Sequence, residues 1–178
     1  MSILYIEFVY PIKHYFQTIR KNEAIFDLIF PLLIGLTGYY VLEKYQCTIL
    51  VTDAVDLLKT IITLLSILVG FTISSIAILA TTSEKLDQET ERVIGDKKIN
   101  LYQLANITFI FALFSEILTL VINLSAVVLI SYDMISVIDH LNILIAVNIA
   151  LISHILLINI RNITNFYFIF HYVKSGSS

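Results

Sequence analysis

Residues 57–80 read LLKTIITLLSILVGFTISSIAILA, and that run decides the fold. A helix rises about 1.5 Å per residue, so crossing a hydrocarbon core takes about 20 consecutive apolar residues. Three further runs of comparable length follow the same logic, at 24–42, 104–130 and 141–160. The reading is an all-α membrane protein with four transmembrane helices, one domain over 1–174, and Ser-Gly-Ser-Ser at 175–178 as a linker remnant. Composition points the same way. With 58% hydrophobic and 14% charged residues, and a mean hydropathy of +0.88, the chain carries more apolar surface than a soluble core of this size can bury.

Positive charge orients the helices. Of eleven Lys and Arg, nine fall on one side of the four runs: Lys13, Arg20, Lys21, Lys85, Arg92, Lys97, Lys98, Arg161 and Lys174. Only Lys44 and Lys59 lie on the other. Short loops rich in Lys and Arg stay in the cytoplasm, so both termini and the 81–103 connection are expected inside. On the outer side Glu43, Asp53, Asp56, Asp133 and Asp139 against the two lysines leave a net charge of −3. Around an oligomer's central opening, such charge would favour cations. The lone Cys47 excludes an internal disulfide and reads as a free thiol in an outer loop.

Both ends of the chain are aromatic. Residues 1–22 carry Tyr5, Phe8, Tyr10, Tyr15 and Phe16, and the far end carries Phe166, Tyr167, Phe168, Phe170 and Tyr172. Such residues settle at the headgroup boundary, so the two ends are read as one belt at the inner leaflet.

Between helices in lipid, small and polar residues mark the faces that meet. The second run carries Thr63, Ser66, Gly70, Ser74, Ala77 and Thr81 at helical spacing, read as a packing seam or a pore lining. Ala105, Thr108, Ala112, Glu116, Thr119, Asn123 and Ala126 form a similar stripe in the third. The fourth run offers Asn142, Ala146, Ala150 and Ser153, and the first Pro31, Gly35 and Gly38.

Glu116 is the sharpest single residue. A charged side chain at mid-bilayer costs about 2.5–3.5 kcal/mol on insertion scales, so it needs partners. Counting depth from the inner end of each run puts Asn148 level with Glu116 and His154 shallower. Asn148 is the expected partner. A His–Glu metal pair is not expected, since two ligands make no metal site; neither metal nor cofactor is expected.

The 81–103 connection is the sizeable polar feature. Ser83 can cap a helix, Lys85–Glu89 and Gln88–Arg92 pair at i,i+4, and Gly95 can end it. The second helix is therefore expected to run on into a cytoplasmic hairpin, whose Glu84, Lys85, Arg92, Lys97 and Lys98 could grip a cytosolic protein. No phosphate loop, Cys or His cluster, or nucleophile–base set is present, so an enzyme is not expected, nor direct nucleic-acid contact.

In size, span number and charged inner hairpin, the chain resembles the membrane subunits of two-gene phage-defence systems, most of all that of the Kiwa system. The resemblance implies a membrane sensor of phage that partners a cytosolic DNA-binding effector. It covers the architecture of the whole chain and rests on no motif, so no functional residue is carried over. Together these readings give a non-enzymatic, self-associating membrane subunit that anchors or signals to a cytosolic partner. The alternative is an oligomeric ion channel or pore-forming effector that depolarises the membrane.

Overall fold

The structure, a computed structural model, describes residues 9–45, 50–81, 89–132 and 141–175, with side chains to 167. The order is α1 (Val9–Thr18), α2 (Lys21–Lys44), α3 (Val51–Thr81), a β-hairpin of β1 (Glu89–Ile94) and β2 (Lys97–Asn100), α4 (Leu101–Ser131) and α5 (Leu141–Ser175). Four of these helices are long and apolar enough to cross a membrane. The chain is a multi-pass helical membrane bundle. Its outward faces carry Leu32, Leu36, Ile67, Leu118 and Ile163, each more than half exposed, as suits a surface solvated by acyl chains.

α3 packs along α4, α4 against α5, and α5 along α2, while α1 lies on α4 and on β1. Three apolar knots hold this row. Ile61, Leu65 and Ile155 join α3 to α5, Leu79 and Ala105 join α3 to α4, and Tyr15, Phe111, Ala112 and Ile158 join α1, α4 and α5. At the α2–α5 contact the reason for a glycine is plain. A Cβ on Gly35 would sit 2.7 Å from the Ala150 Cβ and 2.9 Å from the Ala146 carbonyl oxygen. Only small residues on both helices allow so close an approach.

α2 is not a uniform helix. Residues Ile25–Ile29 form a π turn, a wide turn with one surplus residue that often accompanies functional positions. Pro31 follows at once and sits in the first turn of the α-helical stretch Phe30–Lys44, so its missing N–H coincides with the irregularity instead of breaking a regular ladder.

The connection after α3 differs from the expected helical stalk. α3 is described to Thr81, residues 82–88 lie outside the described set, and Glu89 already belongs to a strand. Ile94 pairs with Lys97 across a two-residue turn in which Gly95 takes φ 60°, a conformation that glycine adopts without strain. Thr90 Oγ1 donates to the Ile99 carbonyl at 2.7 Å. The Glu89 carboxylate lies 3.9 Å from Lys98 across the strands; its expected partner Lys85 falls outside the described residues. The hairpin then passes directly into α4 through a capping box. Asn100 Oδ1 accepts from the Gln103 N–H at 2.8 Å, and Gln103 Oε1 accepts from the Asn100 N–H at 3.1 Å.

α5 also exceeds its expected span, continuing to Ser175 instead of ending near Ile160. Phe166 meets Phe109 edge-on at 5.0 Å, so part of the aromatic end serves helix packing. The same holds at the start of the chain. Tyr15, expected at a headgroup belt, is 1% exposed and stacks on Phe111 with ring centroids 3.6 Å apart.

Candidate functional site: a buried polar seam and an ionic latch

Two polar constellations lie inside the bundle. The first centres on Glu116, the middle residue of α4, which is fully buried. Its Oε1 accepts from Thr72 Oγ1 of α3 at 3.0 Å and from Asn159 Nδ2 of α5 at 2.8 Å. Glu116 therefore ties three helices. The expected partner, Asn148, is instead bonded to its own helix, donating to the Leu144 carbonyl at 3.0 Å. The depth count failed because α5 runs on to Ser175. Asn159 is eleven residues further along than Asn148, or about 16 Å at helical rise, and that shift brings it to Glu116.

The rest of the α4 stripe faces inward as expected, with Ala105, Thr108, Ala112, Thr119 and Asn123 buried and Ala126 half-buried. Asn123 donates to the Thr119 carbonyl at 2.8 Å, and Asn162 donates to the Thr108 carbonyl at 3.4 Å. Ala146 of the α5 stripe is buried, and Asn142, Ala150 and Ser153 are half-buried. Asn142 reaches Glu43 at 3.3 Å. Pro31 and Gly35 are buried and Gly38 half-buried.

The α3 stripe behaves oppositely. Thr63, Ser66, Gly70, Ser74, Ala77 and Thr81 are all exposed on the outer face of the chain. The buried face of α3 carries Ala54, Leu58, Ile61, Leu65, Thr72, Ser75 and Leu79. Within one chain the stripe is therefore not a packing seam, contrary to the expectation from its spacing. The hydroxyls of Thr63, Ser66 and Ser74 donate to the carbonyl four residues back at 2.8–3.0 Å, and that of Thr81 donates three back at 2.8 Å. Sequence spacing alone identified a coherent face but not which of two coherent faces turns inward.

The second constellation lies at the hairpin end, and Asp27 is its pivot. Asp27 sits in the π turn and is 2% exposed. Its carboxylate accepts from the Tyr15 hydroxyl at 2.7 Å and from Arg161. Arg161 also donates to the Tyr15 oxygen at 3.1 Å and lies 4.0 Å from Glu23. The His154 ring nitrogen Nδ1 contacts the Asp27 carbonyl, and the ring meets Phe111 edge-on at 6.1 Å. His154 thus belongs to this cluster and not to the Glu116 seam. Burial raises the Tyr15 phenol above its ordinary value, with nearby Arg161 opposing and the bond to Asp27 adding to the rise.

Arg92 fastens the hairpin to this cluster. It donates to Glu23 at 2.5 Å and to the Thr18 carbonyl at the end of α1. Nearby, Arg20 pairs with Glu91 at 3.2 Å. Arg92 was expected on a partner-binding surface, but its side chain is 15% exposed and spent on internal bonds. Lys97 and Lys98 are exposed as expected, whereas Glu84 and Lys85 fall outside the described residues. A cavity of about 210 Å³ opens beneath the hairpin, lined by residues that include Thr18, Glu23, Arg92, Thr108, Arg161 and Asn165.

Asp27, Glu23, Thr72, Asn159 and Asn162 were not singled out from the sequence. For Asp27 and Asn159 a signal existed: each interrupts an apolar run. Thr72 had none, because a lone Thr in a membrane helix can bond its own backbone. No protein-family model, characterised protein or solved structure matches this chain.

Proposed function

We propose that the chain is a non-enzymatic membrane subunit whose hairpin end receives a soluble protein and whose bundle is mechanically coupled to that end. The supporting observation is Arg92. One side chain on β1 bonds α1 through the Thr18 carbonyl and α2 through Glu23, and Glu23 adjoins the Arg161–Asp27–Tyr15 set on α5, α2 and α1. A partner that shifts the hairpin must therefore strain contacts to three helices. Conversely, a membrane perturbation that moves α2 against α5 must shift the hairpin. Partly buried charged pairs suit such a relay, since removing one partner leaves the other poorly solvated.

In this reading the hairpin end faces the cytoplasm, following the distribution of Lys and Arg. The partner surface is centred on the exposed Lys97 and Lys98, with Glu84 and Lys85 joining it by their place in the sequence, and Arg92 is the coupling element behind it. A phage-defence setting rests on the resemblance of architecture alone. The test is co-purification with the product of the adjacent gene. Charge reversal at Glu84, Lys85, Lys97 and Lys98 should abolish it while membrane insertion persists. Arg92→Ala should leave binding intact and uncouple the response. Unchanged co-purification after charge reversal would refute the reading.

A second reading is favoured by the exposed α3 stripe. Hydroxyls and small residues on the outer face of a membrane helix suit contact with further copies, and in a ring they could line a pore. Liposomes containing the purified protein separate the readings. A current altered by Ser74→Leu supports the pore; electrically silent liposomes reject it.

A further inference from the structure

Glu116 presents a chemical imbalance. Its Oε1 accepts two hydrogen bonds, both from neutral groups, and its Oε2 has none. Among the described residues no Lys, Arg or His pairs with it. The guanidinium nearest along α5, that of Arg161, bonds Asp27 and Tyr15 through its terminal nitrogens, and its Nε is a buried donor without a partner. The same imbalance recurs along the seam. The amide oxygens of Asn123, Asn148, Asn159 and Asn162 are buried without a partner, while the amide nitrogens of all four donate to oxygen. Five buried acceptors lack a protein donor, and two of them, Glu116 Oε2 and Asn159 Oδ1, are on side chains that meet; buried polar groups in native proteins find a protein or water partner in more than about nine cases in ten.

Oxygen acceptors without donors are ligands for a hard cation. One carboxylate amid neutral amide and hydroxyl oxygens balances a single positive charge; a divalent ion in so buried a place would keep an uncompensated charge. We propose that Glu116, Thr72 and Asn159 form a binding site for a monovalent alkali cation, one side chain from each of α4, α3 and α5, with the Asn159 amide turning over so that its unpartnered oxygen replaces, at the ion, the nitrogen that donates to Glu116 in the ion-free chain. The cation would hold three helices together at one point, whatever the hairpin binds.

The test is thermal unfolding of the purified full-length chain in detergent, with sodium, potassium or choline chloride at equal ionic strength. Sodium or potassium should raise the melting temperature saturably over choline, by about 3–6 °C at tenfold the half-saturating concentration. Glu116→Gln should lose the effect, and Thr72→Val should weaken it several-fold. If the Glu116 variant does not fold, the Thr72 variant and the wild-type ion series still decide. Melting identical in all three salts overturns the proposal, as does a sodium or potassium shift that survives Glu116→Gln. Melting that depends on pH but not on which salt is present assigns the carboxyl to protons, and overturns it also.

Discussion

Asp27→Ala is the most informative single change in the ionic latch. It removes the acceptor of the Tyr15 hydroxyl and the counter-charge of Arg161 while leaving both donors in place. Stranding one member of a buried ion pair costs about 3–5 kcal/mol in soluble proteins. Hydrogen bonds between membrane helices average nearer 0.6 kcal/mol, because the separated helices find other partners. Here Arg161 is 18% exposed and can turn partly toward Glu23, so the loss should fall between these values, at about 2–3 kcal/mol. For a chain of this length that corresponds to a drop of about 4–12 °C in melting temperature. Adding Arg161→Met should recover much of the loss, since an apolar pair of similar volume replaces a stranded charge. A remainder of about 1–2 kcal/mol should persist for the unpaired Tyr15 hydroxyl. The assay is a double-substitution cycle of equilibrium unfolding in mixed micelles. Additive effects, within about 0.3 kcal/mol, would refute the claim that Asp27 and Arg161 act as a pair.

Three further outcomes follow from the same geometry. Gly35→Leu should force α2 away from α5, because even a Cβ meets Ala150 at 2.7 Å; weaker cysteine cross-linking between the two helices would report it, at a cost above the ~1–3 kcal/mol of ordinary overpacking. Arg92→Ala should raise amide exchange in the Glu89–Ile94 strand by about 10–100-fold, as expected for loss of roughly 1.4–2.8 kcal/mol in charged hydrogen bonds. Burial raises the Tyr15 phenol above its ordinary value of 10.0, so the folded state holds that proton more tightly than the unfolded one. The associated stability is fully present below about pH 10 and declines as pH rises past it. Melting of Tyr15→Phe against pH should therefore fall less steeply above pH 10 than melting of the parent.

The four long helices were legible because apolar length in a membrane protein admits few alternatives. The inward face of α4 was legible too, since it is the one stripe that carries a carboxyl. The α3 stripe misled for a physical reason: self-bonded hydroxyls cost little against lipid, so small polar residues need not face the chain's own interior. In the 81–103 connection, strand pairing and local turn chemistry outweigh the i,i+4 charge pairing that favours a helix. The alternation Thr90, Arg92, Ile94 against Glu91, Val93, followed by Gly95-Asp96, is a strand-and-turn signal. The partner of Glu116 could not be found while the end of α5 was placed at Ile160. A helix that runs on past the apolar segment resets every depth measured from that end.

The wide turn in α2 has a geometric consequence. In a regular helix, residues eight apart are about 80° out of phase, so Asp27 and Gly35 would address different neighbours. The surplus residue within Ile25–Ile29 retards the winding and swings the two toward a common bearing, where α5 meets one with Arg161 and the other with Ala146 and Ala150. If that turn relaxed to regular α-helical winding with every residue kept, Asp27 and Gly35 would stand about 80° apart around the helix, and α5 could not engage both. The irregularity acts as a phase adjuster, letting one helix carry both an ion pair and a close backbone approach against a single neighbour.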